Sequence, residues 1–255
     1  MKKLTVFILL LIGLAPSSFA ENRDFYQIKI YHLKNDEQEK RVDRFLETAY
    51  LPALHRANVK QVGVFKPVET NSNEKLIYVF IPHVSYESFS KLEARLHEDA
   101  IYQKDGSDYI NATYDAPPYE RIETILLHAF EKSPHFNLPS LTSPKSERIY
   151  ELRSYEGPTE KYYQNKVQMF NKGDEVGLFK RLGFNAVFYG EVVAGSRMPN
   201  LMYMTTFENK KARDEHWDTF GKDAYWKKLS AMPEYQHNVS KSDIHFLYPT
   251  AYSDF

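Results

Sequence analysis

In the stretch ERIYELRSYEG (residues 147–157), Glu151, Arg153 and Tyr155 recur at every second position. That spacing puts all three on one face of a β-strand, because successive side chains of a strand point to opposite sides of its sheet. A carboxylate, a guanidinium and a phenol on one face can bond one another as a structural ion pair. They can equally line a pocket that grips a small polar ligand. Near the start, FYQIKIYHL (residues 25–33) presents Gln27, Lys29 and Tyr31 in the same rhythm. The more apolar set, Tyr150 and Leu152, is expected to meet covering helices. That assignment turns Glu151, Arg153 and Tyr155, with Gln27, Lys29 and Tyr31, toward a shared interior, where charges must be paired or hydrated.

Asp243 and His245, in the segment DIHFLY, are expected to face the same cavity. A neutral imidazole beside a carboxylate can act as a base. Other chemistry lacks its residues. There is no cysteine, hence no thiolate metal site, thiol nucleophile or disulfide. The nine histidines contain no H-E-x-x-H or comparable zinc spacing, so no metal is expected. No G-x-S-x-G elbow occurs, and Gly173, Gly177 and Gly183 fit no phosphate loop. His55, His216, Trp217 and Trp226 read as packing or surface residues of helical stretches.

The elements that must position these groups come from an internal repeat. Tyr26-Gln27-Ile28-Lys29-Ile30-Tyr31 matches Tyr150-Glu151-Leu152-Arg153-Ser154-Tyr155 at a shift of 124 residues. At the same shift Val62-Gly63-Val64-Phe65 falls on Ala186-Val187-Phe188-Tyr189, and Asp99-Ala100-Ile101-Tyr102 on Asp223-Ala224-Tyr225-Trp226. Leu76-Ile77-Tyr78 meets Leu201-Met202-Tyr203 with one residue of slippage.

Each copy reads as strand, helix, strand, strand, helix, strand. In the first, strands are expected at 25–33, 60–68, 75–81 and 121–130. One helix carries Val42, Phe45, Leu46, Ala49 and Ala53 on one face, with a kink near Pro52, and a second starts at Ser85 with a face of Phe89, Leu92 and Leu96. In the second copy, strands are expected at 148–156, 184–193, 200–207 and 243–248. A helix should run from Thr159 to Leu182, stopped by Gly183, and another should be capped by Asn209. This is two tandem ferredoxin-like βαββαβ units, an α+β chain whose bare sheet faces close on each other as an intrachain barrel. The units span residues 21–130 and 148–255, joined by a linker at 131–147 that holds Pro134, Pro139 and Pro144.

Residues 1–20 have the layout of a secretory leader: a basic MKK, an apolar run and small residues Ser18 and Ala20 before the expected cut. Periplasmic or secreted localisation follows, with no membrane attachment after cleavage. Lys and Arg total 33 against 34 Asp and Glu, so no basic excess points to nucleic acid. A monomer or a homodimer is compatible with the pattern.

The motifs YELRSYEG, FKRLGF at a helix end, YMTTF and DAYWKKL resemble the NIPSNAP family of the dimeric α+β barrel superfamily. The resemblance is good over residues 148–250 and weaker over 25–130. It implies the barrel fold. It does not carry an activity, because superfamily relatives include haem-binding proteins, small monooxygenases and stress-responsive barrels. It implies no cofactor, apart from a haem-ligand role for His245 by analogy with the haem-binding branch. The expected function is binding of a small organic ligand in a polar and aromatic barrel cavity. Two alternatives stand beside it: a cofactor-independent oxygenase, isomerase or lyase, and a structural interaction module.

Overall fold

The alternating stretch FYQIKIYHL forms β1 (Phe25–Leu33) in the computed structural model, which describes residues 22–69 and 75–255. The expected leader lies outside the described residues, as does nearly all of the ETNSNE turn. Asn35 then caps α1 (Asp36–Phe45) by accepting from the Gln38 amide. The helix continues through a π-helical turn, Leu46–Tyr50, into α2 (Leu51–Arg56). In place of the kink or break expected near Pro52, the irregularity is the π-helical turn just upstream of it. Pro52 lies just after that turn inside the continuous helix, where it has no N–H to donate to the preceding turn. Strands β2 (Gly63–Pro67) and β3 (Lys75–His83) follow. Next come α3 (Tyr86–Glu98), capped by Ser85, α4 (Ala100–Asp105), α5 (Ser107–Ile110) and β4 (Arg121–Ala129).

The second unit repeats the order with β5 (Ile149–Glu156), α6 (Glu160–Asn171), α7 (Glu175–Arg181), β6 (Asn185–Ala194) and β7 (Asn200–Phe207). It ends with α8 (Lys210–Lys222), α9 (Ala224–Ser230) and β8 (Lys241–Pro249). The single helix expected from Thr159 to Leu182 is broken in two at Gly173 and Asp174, the latter left-handed at φ 55°. Gly183, at φ 77°, ends α7 as expected. The matched Asp99 and Asp223 do the same job. Each caps the short helix after it through two backbone amides, and each binds an arginine, Arg56 or Arg181.

The strands close into one barrel in the order β1-β3-β2-β8-β5-β7-β6-β4. Each unit contributes the ferredoxin-like order 4-1-3-2 of its own strands, and the units join where β2 meets β8 and β4 meets β6. Both joins are short, three and four residue pairs. Closure leaves no continuous sheet edge among the described residues.

Helices cover the outside, forming one core per unit, around Phe45, Leu54 and Leu92 in the first and Phe170, Phe179 and Phe220 in the second. A third core lies inside the barrel and draws on both units. At one end it is solid. Phe80 stacks on Phe188 at 5.0 Å, and Tyr26 and Phe65 fill the space around them. Phe136, from the strand- and helix-free stretch 131–147, and Phe255 lie 5.5 Å apart and cork that end.

One expectation about facing is reversed. Tyr150, Leu152 and Tyr26 point into the barrel, whereas Glu151, Arg153, Tyr155, Gln27, Lys29 and Tyr31 point outward beneath the helices. The enclosed side of a closed barrel is its driest region, so it takes the apolar set. The helix layer can instead supply counter-charges from its own side chains.

Candidate functional site

The outward set builds a buried polar network in the second unit. Glu151 has no solvent exposure and accepts from Arg153 Nε at 2.6 Å, Arg213 Nε at 2.7 Å and Trp217 Nε1 at 2.8 Å. Burial works to raise its carboxyl pKa, but the Arg213 hydrogen bond and the Arg153 charge overcome this and hold it below the usual carboxylate range. The Arg153 guanidinium also lies 3.7 Å over the Trp217 ring and donates to the Tyr155 hydroxyl at 2.9 Å. Tyr155 and Tyr203 hydroxyls meet at 2.9 Å. Nearby, Lys166 Nζ donates to Glu175 at 2.9 Å against the rings of Phe170 and Trp226. Burial pushes the Glu175 carboxyl up, the Lys166 charge opposing it.

The first unit has a weaker counterpart. Lys29 Nζ donates to the Tyr50 hydroxyl at 3.3 Å and lies 3.5 Å from Glu93. Gln27 faces the His83 ring at 3.4 Å, and Tyr31 is buried in the helix-side core. Glu151, Arg153 and Tyr155 are thus brought together, but not with Gln27, Lys29 and Tyr31. Each group ties its own helices to its own sheet. With both Glu151 oxygens bonded and Arg153 filled by Glu151 and Tyr155, the network is built to fasten α8. Trp217, expected only to pack, is part of it through its indole N–H.

The barrel interior is open at the other end. There a cavity of about 210 Å³ is lined by Ile30, Leu76, Tyr78, Ile125, Leu152 and Met202. Its polar lining comes from His32, Glu123, Ser154, Ser196, Arg197, Asn200 and His245. β5 and β8 set His245 opposite Leu152 and Asp243 opposite Ser154, so both share the inward parity. These two are the sequence-predicted site residues that do reach the barrel interior.

Charge at the rim is arranged in crossed pairs. Arg197 bonds Asp243 and lies 3.9 Å from Glu156, while Lys241 lies 3.2 Å from Asp243 and 3.9 Å from Glu156. His32 and Glu123 meet at 3.1 Å. Asn200 Nδ2 donates to Ser154 Oγ at 2.8 Å. Burial holds the His245 imidazole below its ordinary pKa, with Asp243 pulling upward and Arg197 downward. The ring is therefore neutral near pH 7. It is tilted 43° to the ring of Tyr78, ring centroids 5.9 Å apart.

Arg197, Asn200 and Ser154 were not singled out by sequence. Ser154 and Asn200 carried a usable signal, since each sits at an inward position near a strand end. Arg197 carried none. It belongs to the β6–β7 turn, where it holds a left-handed φ of 65° that non-glycine residues seldom adopt. Among the described residues no group of three or more His, Asp or Glu side chains is placed to hold a metal. No helix of the described residues is long and apolar enough to cross a membrane. At about 210 Å³ the cavity beside His245 is smaller than the roughly 300–1,000 Å³ of ordinary small-molecule pockets.

Comparison with known proteins agrees with this architecture. Residues 150–254, most of the second unit, match the NIPSNAP family model. No curated protein matches the sequence. Among solved structures, a candidate monooxygenase from Fusobacterium nucleatum superposes with TM-score 0.61 at 8% identity, covering 90% of this chain and 93% of that one. A candidate monooxygenase from Lactobacillus acidophilus gives TM-score 0.56 at 11% identity, over 89% of this chain and 94% of that one. An anthrone oxidase-like protein gives 0.55 at 10% identity, over 90% and 92%. At such identities the likeness is one of fold: all share the α+β barrel.

Proposed function

We propose that this NIPSNAP-type barrel binds a small organic ligand, the size of one substituted ring, in its open end. The observation that carries the reading is the half-filled interior: aromatic packing closes one end, while the other keeps a cavity of about 210 Å³ with mixed polar and apolar lining. A cavity of about 150 Å³ accommodates benzene, so this one takes a ring with one or two substituents. The helix-side network does not compete as a site, because its polar groups are already bonded to one another.

A panel of single-ring compounds titrated into the full chain by calorimetry tests the reading. At least one should bind saturably, and Met202→Trp, which fills the cavity, should weaken that binding by about tenfold or more. Equal affinity for the filled variant would place the binding elsewhere and overturn the proposal.

A second reading, catalysis on a carbonyl or phenolic ligand in the same cavity, is favoured by His245. A neutral imidazole at the cavity wall can accept a proton from a bound ligand. It is also the reading closest to the names of the monooxygenases that share the fold. It predicts oxygen consumption when a bound phenol is supplied, whereas a pure binder consumes none. A tricyclic substrate of the anthrone class exceeds the cavity and should not turn over.

Export is part of the proposal and rests on the leader-like residues 1–20. Amino-terminal sequencing of protein recovered outside the cytoplasm should begin at Glu21. An intact Met1 there would remove the cleaved-leader reading.

A further inference from the structure

Two sets of polar groups meet at the barrel mouth, and they differ in what they have left to give. The charged set is spent on itself. Arg197 and Lys241 are both within 4 Å of the same two carboxylates, Asp243 and Glu156, so two cations face two anions and the charges balance, with Glu156 Oε1 held by ion pairs alone and accepting no hydrogen bond. Glu123 is bonded to His32. The uncharged set is less committed. Ser154 and Asn200 bond each other and keep further lone pairs and an amide hydrogen, and no side chain among the described residues bonds either ring nitrogen of His245.

A charged ligand entering this mouth would lose its hydration without meeting an unpaired counter-charge, or would have to pull one of the crossed pairs apart. Either route is costly in a half-buried setting. An uncharged ring with an O–H or N–H group meets no such penalty. Its ring lies against Leu76, Leu152 and Met202, and its hydrogen points at an acceptor that is otherwise unused.

We infer that the mouth selects uncharged single-ring ligands bearing one hydrogen-bond donor, phenols and N–H heterocycles, with the His245 imidazole accepting the donated hydrogen. The inference rests on the barrel mouth being the binding site and names its ligand class. Since burial keeps His245 neutral at pH 7, the acceptor is available there without a proton being removed first.

Three ring-matched probes separate the possibilities: phenol, benzoate and benzylamine, titrated at pH 7 into the full chain with ¹⁵N-labelled histidine. Phenol should shift the His245 ring resonances and bind about tenfold or more tighter than either charged probe, the margin expected when one made hydrogen bond is set against an unpaired charge. His245→Phe should lose about that factor, whereas His245→Gln, which keeps an acceptor, should retain most of the affinity. Benzoate or benzylamine binding as tightly as phenol while shifting His245 would overturn the ligand class and leave the mouth as the site. Binding that leaves the His245 resonances unmoved for all three probes would overturn the mouth as well. The wild-type titration decides both points even if a His245 variant fails to fold.

Discussion

Replacing Glu151 by alanine should destabilise the protein by about 3–5 kcal/mol, the cost of leaving buried charge without its partner. Two guanidinium groups, Arg153 and Arg213, and the Trp217 indole N–H all converge on this one carboxylate, which is fully buried. Removing it strands Arg153 in a half-dry site and cuts the polar tie between β5 and α8. Single replacement of Arg213 should cost less, because Glu151 keeps Arg153 and the indole. Urea unfolding of the three proteins checks the order. A Glu151→Ala loss below about 1 kcal/mol would show that the network is solvated and not a fastening.

The same carboxylate predicts an acid limb. Its pKa is lowered in the folded protein, so the native state binds fewer protons than the unfolded chain below the ordinary carboxylate value. The stabilisation is complete above the unfolded pKa, near 4.5, and is lost as pH falls through the lower folded value. Glu151→Gln should flatten this limb. Glu175 acts in the opposite direction, since burial raises its pKa, so the stability it contributes grows as pH falls toward the unfolded value.

Phe255→Ala should cost about 3–5 kcal/mol, in the range of buried aromatic truncations. The ring is almost fully buried and lies 5.5 Å from Phe65 and Phe136, 5.9 Å from Phe80 and 6.2 Å from Tyr150, so its loss leaves a cavity that the rigid barrel cannot close. Tyr114→Ala is the control. That side chain is 97% exposed, and its removal should change stability by less than about 0.5 kcal/mol. Denaturant midpoints distinguish the two, and equal midpoints would mean that Phe255 does not cork the barrel. The Phe255→Ala chain should also bind benzene at the corked end, as dry engineered cavities do.

The repeat made the architecture legible. Tyr26-to-Tyr31 and Tyr150-to-Tyr155 are the first strands of two like units, and Asp99 and Asp223 cap like helices because the same local geometry recurs. Alternation along β5 likewise separated Glu151, Arg153 and Tyr155 from Tyr150 and Leu152. Alternation gives parity but not direction. Nothing local says which face of a strand will be enclosed by a barrel and which by helices, and the more apolar set went to the enclosed side. The break at Asp174 was hidden for a related reason. Residues 159–182 keep helical spacing on both sides of a turn that only Gly173 and Asp174 mark.

The sequence by itself determined the two-unit order of strands and helices, the capping residues and the pairing of polar with apolar faces. Each of these depends on backbone periodicity and on contacts a few residues long. Only the tertiary structure decided which face turns inward, that Glu151 is met by Arg213 and Trp217 from α8, and that Arg197, Asn200 and His245 share one mouth. Those groups are between 3 and 66 residues apart along the chain. Their meeting follows from barrel closure and helix packing, and no spacing rule encodes either.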